Sequence, residues 1–301
     1  MKNVLTVLLL ALLTTIADAQ ITITRSERLP LSRGRQWSHP RFSPTGRSVF
    51  YSDADGNGIW EYTLKTRSAR RITADAKSGL SFSVSQDGKS LVYRRTLQER
   101  PQRRQAVVLI NIARGTSSVL GSGSDVSTPV FSTNTPVYTI KSKTSGLAEA
   151  TSAARTTILG IEDTKIAISV EGKKTILDPL GNGSYIWPAL SPDGKKLVAY
   201  DMDRGAFVCD VDGSAMTKIG KRDAPTWTRS GKWIVYMEDK DDGHRILSSD
   251  LAAVSSDGKS VVQLTSTASI FEMNPQCSPS ENKIVCNNTS GMIFVLEYEE
   301  R

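Results

Sequence analysis

The chain has 301 residues, 39% hydrophobic and 23% charged, with a net charge of +7 at pH 7. Three cysteines are too few for a disulfide framework, and the modest positive excess is compatible with acidic partners without identifying one. After residue 19 no stretch is apolar enough to cross a bilayer as a helix, so no membrane span is expected.

Residues 1–19 stand apart. Lys2 is followed by an apolar run over residues 4–16 and then by Ala17-Asp18-Ala19. A basic start, an apolar run of this length and small residues at −3 and −1 predict a secretory signal peptide, and with it a periplasmic or secreted protein. Gln20, not a cysteine, follows the expected cut, which argues against a lipoprotein anchor. The remaining 282 residues, 20–301, are expected to form one domain. Residues 21–25 alternate apolar and polar side chains and predict a strand with no partner before it.

From residue 39 onward one pattern recurs six times: an apolar strand, a polar turn and a second apolar strand. The clearest copy is Trp187-Pro188-Ala189-Leu190-Ser191-Pro192-Asp193-Gly194-Lys195, followed by Leu197-Val198-Ala199-Tyr200. The others are anchored at Ser43, Ser85, Ser132, Thr228 and Ser278, giving spacings of 42, 47, 59, 37 and 50 in chain order. Repeats of this length built from strands predict an all-β fold, a six-bladed β-propeller with one four-stranded blade per repeat. Each anchor hairpin supplies the inner two strands, and a second hairpin follows.

In the first repeat the outer strands fall at 59–64 and 70–73, and in the second at 107–112 and 117–120. Between the second and third strands of the second repeat, Arg94, Arg95, Arg100, Arg103 and Arg104 crowd one connection. The third repeat is degenerate. Its inner hairpin reads as 129–131 with 136–140, and a long exposed loop is expected over 141–155. Outer strands resume at 156–159 or 165–170, and at 174–177. The fourth repeat continues through 206–211 and 217–219, joined by Asp212-Gly213, a tight-turn signal. In the fifth, Ser256-Asp257-Gly258-Lys259 looks like a further anchor but sits half a repeat out of phase, so it reads as that blade's outer turn. The chain ends on a strand at 292–297 with no partner after it. Pairing it with 21–25 closes the ring and removes two open sheet edges.

These residues resemble the TolB-like β-propeller repeat. The resemblance rests on Ser191-Pro192-Asp193-Gly194-Lys195 and its variants, on the segment 52–60, on Arg70-Arg71-Ile72-Thr73, and on 238–244 as a second version of 52–58. It covers the propeller alone, since the repeats fill residues 20–301 and leave no room for the α/β domain that precedes the propeller in TolB. Such propellers bind proteins, carry sugar-cleaving chemistry or gate hydrolase domains, so the resemblance implies the fold more sharply than the function.

No catalytic residues, metal or cofactor are expected. Asp53-x-Asp55-x-Asn57-Gly58 matches the first half of a calcium loop, but Leu64 stands where the bidentate Glu belongs, and the resemblance explains the same residues as a strand-to-strand turn, the reading preferred. His39 and His244 are the only histidines, short of the three or four ligands a metal site needs. There is no Gly-x-Ser-x-Gly elbow, and Gly88-Lys89-Ser90 lacks the glycine of a phosphate loop. Cys277 and Cys286 fall on one face of the sixth hairpin but diagonal to each other, beyond disulfide reach, and are expected as buried thiols.

The residues in register just before each anchor are His39, Ser81, Thr128, Trp187, Ala224 and Asn274. They are expected to ring the channel mouth, with Trp187, Tyr185 and Trp37 as an aromatic floor for a peptide or a sugar ring. The arginine loop, with Arg100, Arg103 and Arg104, adds a contact for an acidic protein, glycan or lipid surface; nucleic acid is not expected of an exported protein. The expected function is a non-catalytic interaction module of the bacterial cell envelope that binds a protein or peptide partner at the channel face. The alternative is a carbohydrate-active or hydrolytic propeller.

Overall fold

The computed structural model describes residues 20–98, 103–140, 143–145 and 156–301. The expected signal peptide at 1–19, Arg100 and most of the expected loop at 141–155 lie outside the described residues. Strands dominate the rest, and the described residues contain no α-helix, only a short 3-10 turn at Ser78–Leu80.

The six repeats build a β-propeller. Five of them fold as four-stranded antiparallel blades. Outward from the channel, the first is Trp37–Phe42, Ser48–Asp53, Ile59–Thr63 and Ser68–Thr73, and the second Phe82–Val84, Ser90–Gln98, Arg104–Asn111 and Ser117–Gly123. The fourth is Tyr185–Leu190, Lys196–Asp201, Gly205–Asp210 and Thr217–Gly220, and the fifth Asp223–Trp227, Trp233–Asp241, Ile246–Ser255 and Val261–Gln263. The last blade runs Met273–Cys277, Lys283–Asn287, Ile293–Glu300, and its outermost strand is the N-terminal Ile21–Arg28. Ile21 pairs with Glu300 and Arg28 with Phe294, so the two chain ends close the ring as expected.

The third repeat departs from the expected four strands. It forms two three-stranded sheets, Val130–Ser132/Thr135–Ile140/Lys143–Ser145 and Thr157–Glu162/Lys165–Val170/Lys173–Leu177. The strand Thr157–Glu162, expected on the outside of a blade, instead lies at the channel between Val130–Ser132 and Tyr185–Leu190, so seven strands line the centre. The physical cause is a pair of two-residue hairpins. Asp163 and Thr164 have φ of 45° and 68°, and Glu171 and Gly172 have 51° and 78°. Positive φ at both central residues is the turn whose twist matches flanking strands, so residues 157–177 fold as a local meander. No Ser-x-Asp-Gly signal marks these turns, which is why the repeat reads as degenerate.

The turn chemistry explains the repeated motif. Ser191 Oγ donates to Asp193 Oδ1 at 2.6 Å, and the same carboxylate accepts the Lys195 N–H at 3.1 Å. Ser85, Asp87 and Lys89 repeat the arrangement at 2.6 and 3.0 Å. Ser255, Asp257 and Lys259 repeat it at 2.6 and 3.2 Å between Ile246–Ser255 and Val261–Gln263, the outer turn read from the sequence. Glycine at the last turn position supplies positive φ, 70° at Gly194 and 72° at Gly88.

The core lies between blades. Alternate residues of one strand face opposite neighbours. Val49 and Tyr51 pack with Val285, Ile293 and Val295 of the last blade, while Phe50 between them packs with Leu91 and Tyr93 of the second.

Candidate functional site

In four blades the inner strand begins with an X-Pro pair: His39-Pro40, Trp187-Pro188, Ala224-Pro225 and Asn274-Pro275. Each carries the same bulge, two residues opposing one, as His39 and Pro40 oppose Tyr51 between the pairs Ser38/Ser52 and Arg41/Phe50. Proline has no N–H to give the ladder and is tolerated at a bulge. The preceding residue takes a positive φ in every case, 54°, 51°, 48° and 53° in chain order. Ser81 precedes Phe82 rather than a proline, and its strand pairs with its neighbour without a bulge.

The bulge decides where those side chains go. His39 Nδ1 contacts Ser52 Oγ at 3.2 Å, Asn274 Nδ2 donates to Asn287 Oδ1 at 3.2 Å, and the Trp187 ring meets Tyr200 edge-on with centroids 5.6 Å apart. Each reaches the second strand of its own blade. Ser81 Oγ and Thr128 Oγ1 meet at 3.4 Å across neighbouring blades. Burial first, and the Arg41 charge second, push His39 below the usual imidazole range. Of the six residues expected at the mouth, Trp187 and Ala224 line the central cavity.

That cavity measures about 850 Å³ and runs along the inner strands. Its far end is lined by the residues that follow the anchors in register: Pro44, Gln86, Thr133, Pro192, Arg229 and Pro279. The alignment that exposes the first set contains this second one, and it is the one the cavity uses. Arg41, Thr157, Leu190, Trp227 and Gln276 form parts of the wall between.

The aromatic floor reduces to one ring. Trp187 is 43% exposed, enough to offer a face to a ligand. Tyr185 is buried, edge-on to Phe207, and its hydroxyl donates to Asp178 Oδ1 at 2.6 Å. Trp37 is also buried, wedged between Tyr51 and Trp60 at 5.1 and 4.9 Å. Strand alternation points Tyr185 and Trp37 between blades, where apolar area is removed from water.

Beneath Trp187 sits a polar cluster that the sequence reading missed. Tyr200 and Asp239 both lie close enough to Asp223 to influence its charge, with Lys221 Nζ 3.9 Å away. Burial, and then the Asp239 carboxyl, raise Asp223 to about 6. Asp239 Oδ1 is buried without a donor, and a proton held between the two carboxyls would satisfy it.

The arginine connection divides in two. Arg94 is structural, donating to the Val126 carbonyl at 2.7 Å and to Ser81 Oγ at 3.4 Å, and Arg95 pairs with Asp75 at 3.4 Å. Arg103 and Arg104 are exposed. In the 52–58 segment the Asp53 carboxylate accepts the Asn57 N–H at 2.7 Å, and the Asn57 side-chain oxygen accepts the Lys77 N–H at 3.1 Å. These side chains are engaged in holding a turn. Cys209, Cys277 and Cys286 are free thiols; burial pushes Cys209 up to about 12 and Cys286 higher still.

No protein-family model matches the chain, and no curated protein matches it in sequence. Solved structures do. The β-propeller domain of Cps50 (Swd1) from Myceliophteria thermophila superposes with a TM-score of 0.61 at 13% identity, covering 92% of this chain and 99% of that one. TolB from Acinetobacter baumannii gives a TM-score of 0.50 at 14% identity over 90% of this chain, which spans 57% of the TolB chain. An oligogalacturonate lyase in complex with manganese gives 0.51 at 13% identity, covering 89% and 79%. At these identities the shared property is the fold: this chain is a β-propeller of the kind found in TolB, in a Swd1 domain and in a sugar lyase alike.

Proposed function

We propose that the protein is a non-catalytic interaction module of the bacterial cell envelope, periplasmic or secreted, that binds a protein or peptide partner in and around the propeller channel. The observation that carries this reading is the channel itself. Its volume of about 850 Å³ falls in the range of ligand sites, and it ends at an exposed tryptophan steadied by Tyr200. A large aromatic ring presented on a rigid strand is the usual anchor of a protein interface. The expected signal peptide supplies the compartment, and the TolB-like fold is one that accommodates such a role. Among the described residues no helix is long and apolar enough to cross a membrane.

The test is affinity purification from an envelope fraction with the parent protein and Trp187→Ala in parallel, followed by mass spectrometry. A partner recovered with the parent and lost with the variant supports the reading. Identical recovery with both moves the interface away from the channel.

A further inference from the structure

Two charged side chains line the channel, and both are arginines. Arg41 projects from the innermost strand of the first blade, and Arg229 from the turn that closes the innermost strand of the fifth. The described residues contribute no carboxylate to the lining and no ion pair to either guanidinium. Arg41 is the more telling. It is half-buried, its guanidinium carbon lies 5.0 Å from the Phe82 ring centroid, and Nη1 donates to the Phe82 carbonyl at 3.0 Å. Those contacts hold the plane of the group but leave its charge uncompensated. A buried charge is ordinarily paired, because desolvation is costly and only a counter-charge offsets it well.

Resting on the reading of the channel as a docking site, we infer that its occupant is an extended acidic peptide segment, whose Asp or Glu carboxylates meet Arg41 and Arg229 while a neighbouring residue packs on Trp187. Arginine suits this task, since its planar fork takes a carboxylate through two parallel hydrogen bonds. The wall between the charges alternates apolar surface, as at Leu190 and Trp227, with hydrogen-bonding side chains such as Gln276, which fits an extended chain with both backbone and side-chain contacts. The exposed Arg103 and Arg104 add positive charge at the rim, which draws the same class of ligand toward the channel.

Panning a display library of random short linear peptides against the protein tests this. Selected peptides are then titrated by fluorescence anisotropy against the parent, Arg41→Gln, Arg229→Ser and Trp187→Ala, with a melting curve for each variant. The expected result is enrichment of Asp and Glu, and weakening on the order of tenfold in Arg229→Ser and Arg41→Gln, mirrored when the peptide carboxylates are replaced by amides. Arg41 also ties the first blade to the second, so Arg229, exposed in a turn, carries the test if Arg41→Gln unfolds. Peptides that depend on Trp187 but are neutral or basic, or that tolerate amide replacement, overturn the acidic ligand while leaving the docking site standing. If no selected peptide responds to Trp187→Ala or to either arginine variant, the docking site falls as well.

Discussion

Trp187 stands edge-on to Tyr200, centroids 5.6 Å apart and planes at 66°, thirteen residues along the same hairpin. The bulge at Trp187-Pro188 turns the indole toward the second strand and leaves 43% of it open at the channel. Trp187→Ala should therefore cost about 2 kcal/mol of partner binding, roughly 30-fold in Kd, chiefly through faster dissociation. Its melting temperature should barely move, because the ring is half outside the core. Surface plasmon resonance and calorimetry on the same preparation check both halves.

Replacing Arg103 and Arg104 with Ser should act on the other rate. Both are exposed, Arg104 as the first residue of the strand that follows the arginine connection and Arg103 just before it. Long-range attraction of an acidic partner depends on such rim charges and is screened by salt. Association should slow several-fold at low ionic strength and lose much of its salt dependence, with dissociation unchanged.

The Asp223–Asp239 pair makes a pH prediction. Asp223 titrates near 6 in the folded protein, raised by burial and then by Asp239, and an unfolded aspartate titrates near 3.8. The folded state thus binds more protons between about pH 4 and 6. Stability from this pair falls as pH rises through that window and stays low above it. Asp223 is only 9% exposed, so the effect should be felt, on the order of 1–2 kcal/mol. Asp223→Asn should raise the melting temperature at pH 7 and leave it unchanged at pH 4. A parent and a variant with parallel pH profiles would show that the carboxyls do not share a proton.

Ring closure predicts cooperative loss on truncation. The strand Ile21–Arg28 supplies the outer edge of the last blade, and Ile21 is fully buried against Ile284 and Leu296. Ile21→Ala alone should cost about 2–4 kcal/mol by leaving a cavity. Deleting residues 20–28 should lower the whole unfolding transition in one step, read by thermal circular dichroism; an unchanged transition would dissociate closure from stability.

Cys209 and Cys286 should label with maleimide only after unfolding, whereas Cys277, half-buried on the cavity wall rather than fully buried as expected, should label earlier, to a total of three in denaturant. Cys209 and Cys286 are fully buried, and burial keeps each thiol protonated at neutral pH. A stoichiometry of one in denaturant would mean that Cys277 and Cys286 had paired.

The sequence by itself determined the architecture. The Ser-x-Asp-Gly turns are local devices, closed by hydrogen bonds within five residues, so Ser191, Asp193 and Lys196 announce their hairpin wherever they occur. Six anchor hairpins at near-regular spacing, two of them (at Ser85 and Ser191) carrying this turn in full, with a strand at each end of the repeats, leave a closed ring as the way to bury both faces and both edges. The third repeat escaped this reading because its hairpins turn on Asp163-Thr164 and Glu171-Gly172, whose positive φ values carry no repeat signature. The site was only partly legible. Trp187 could be placed at the mouth from register, but whether Tyr185 faces ligand or core depends on which neighbour its strand packs against. Likewise Arg41, Asp223 and Asp239 are unremarkable in the chain. The tertiary structure alone decided their character, by bringing Asp223 against Asp239 from adjacent strands and by half-burying Arg41 in the channel wall with no ion pair, because charge and burial are properties of neighbours that the linear order does not specify.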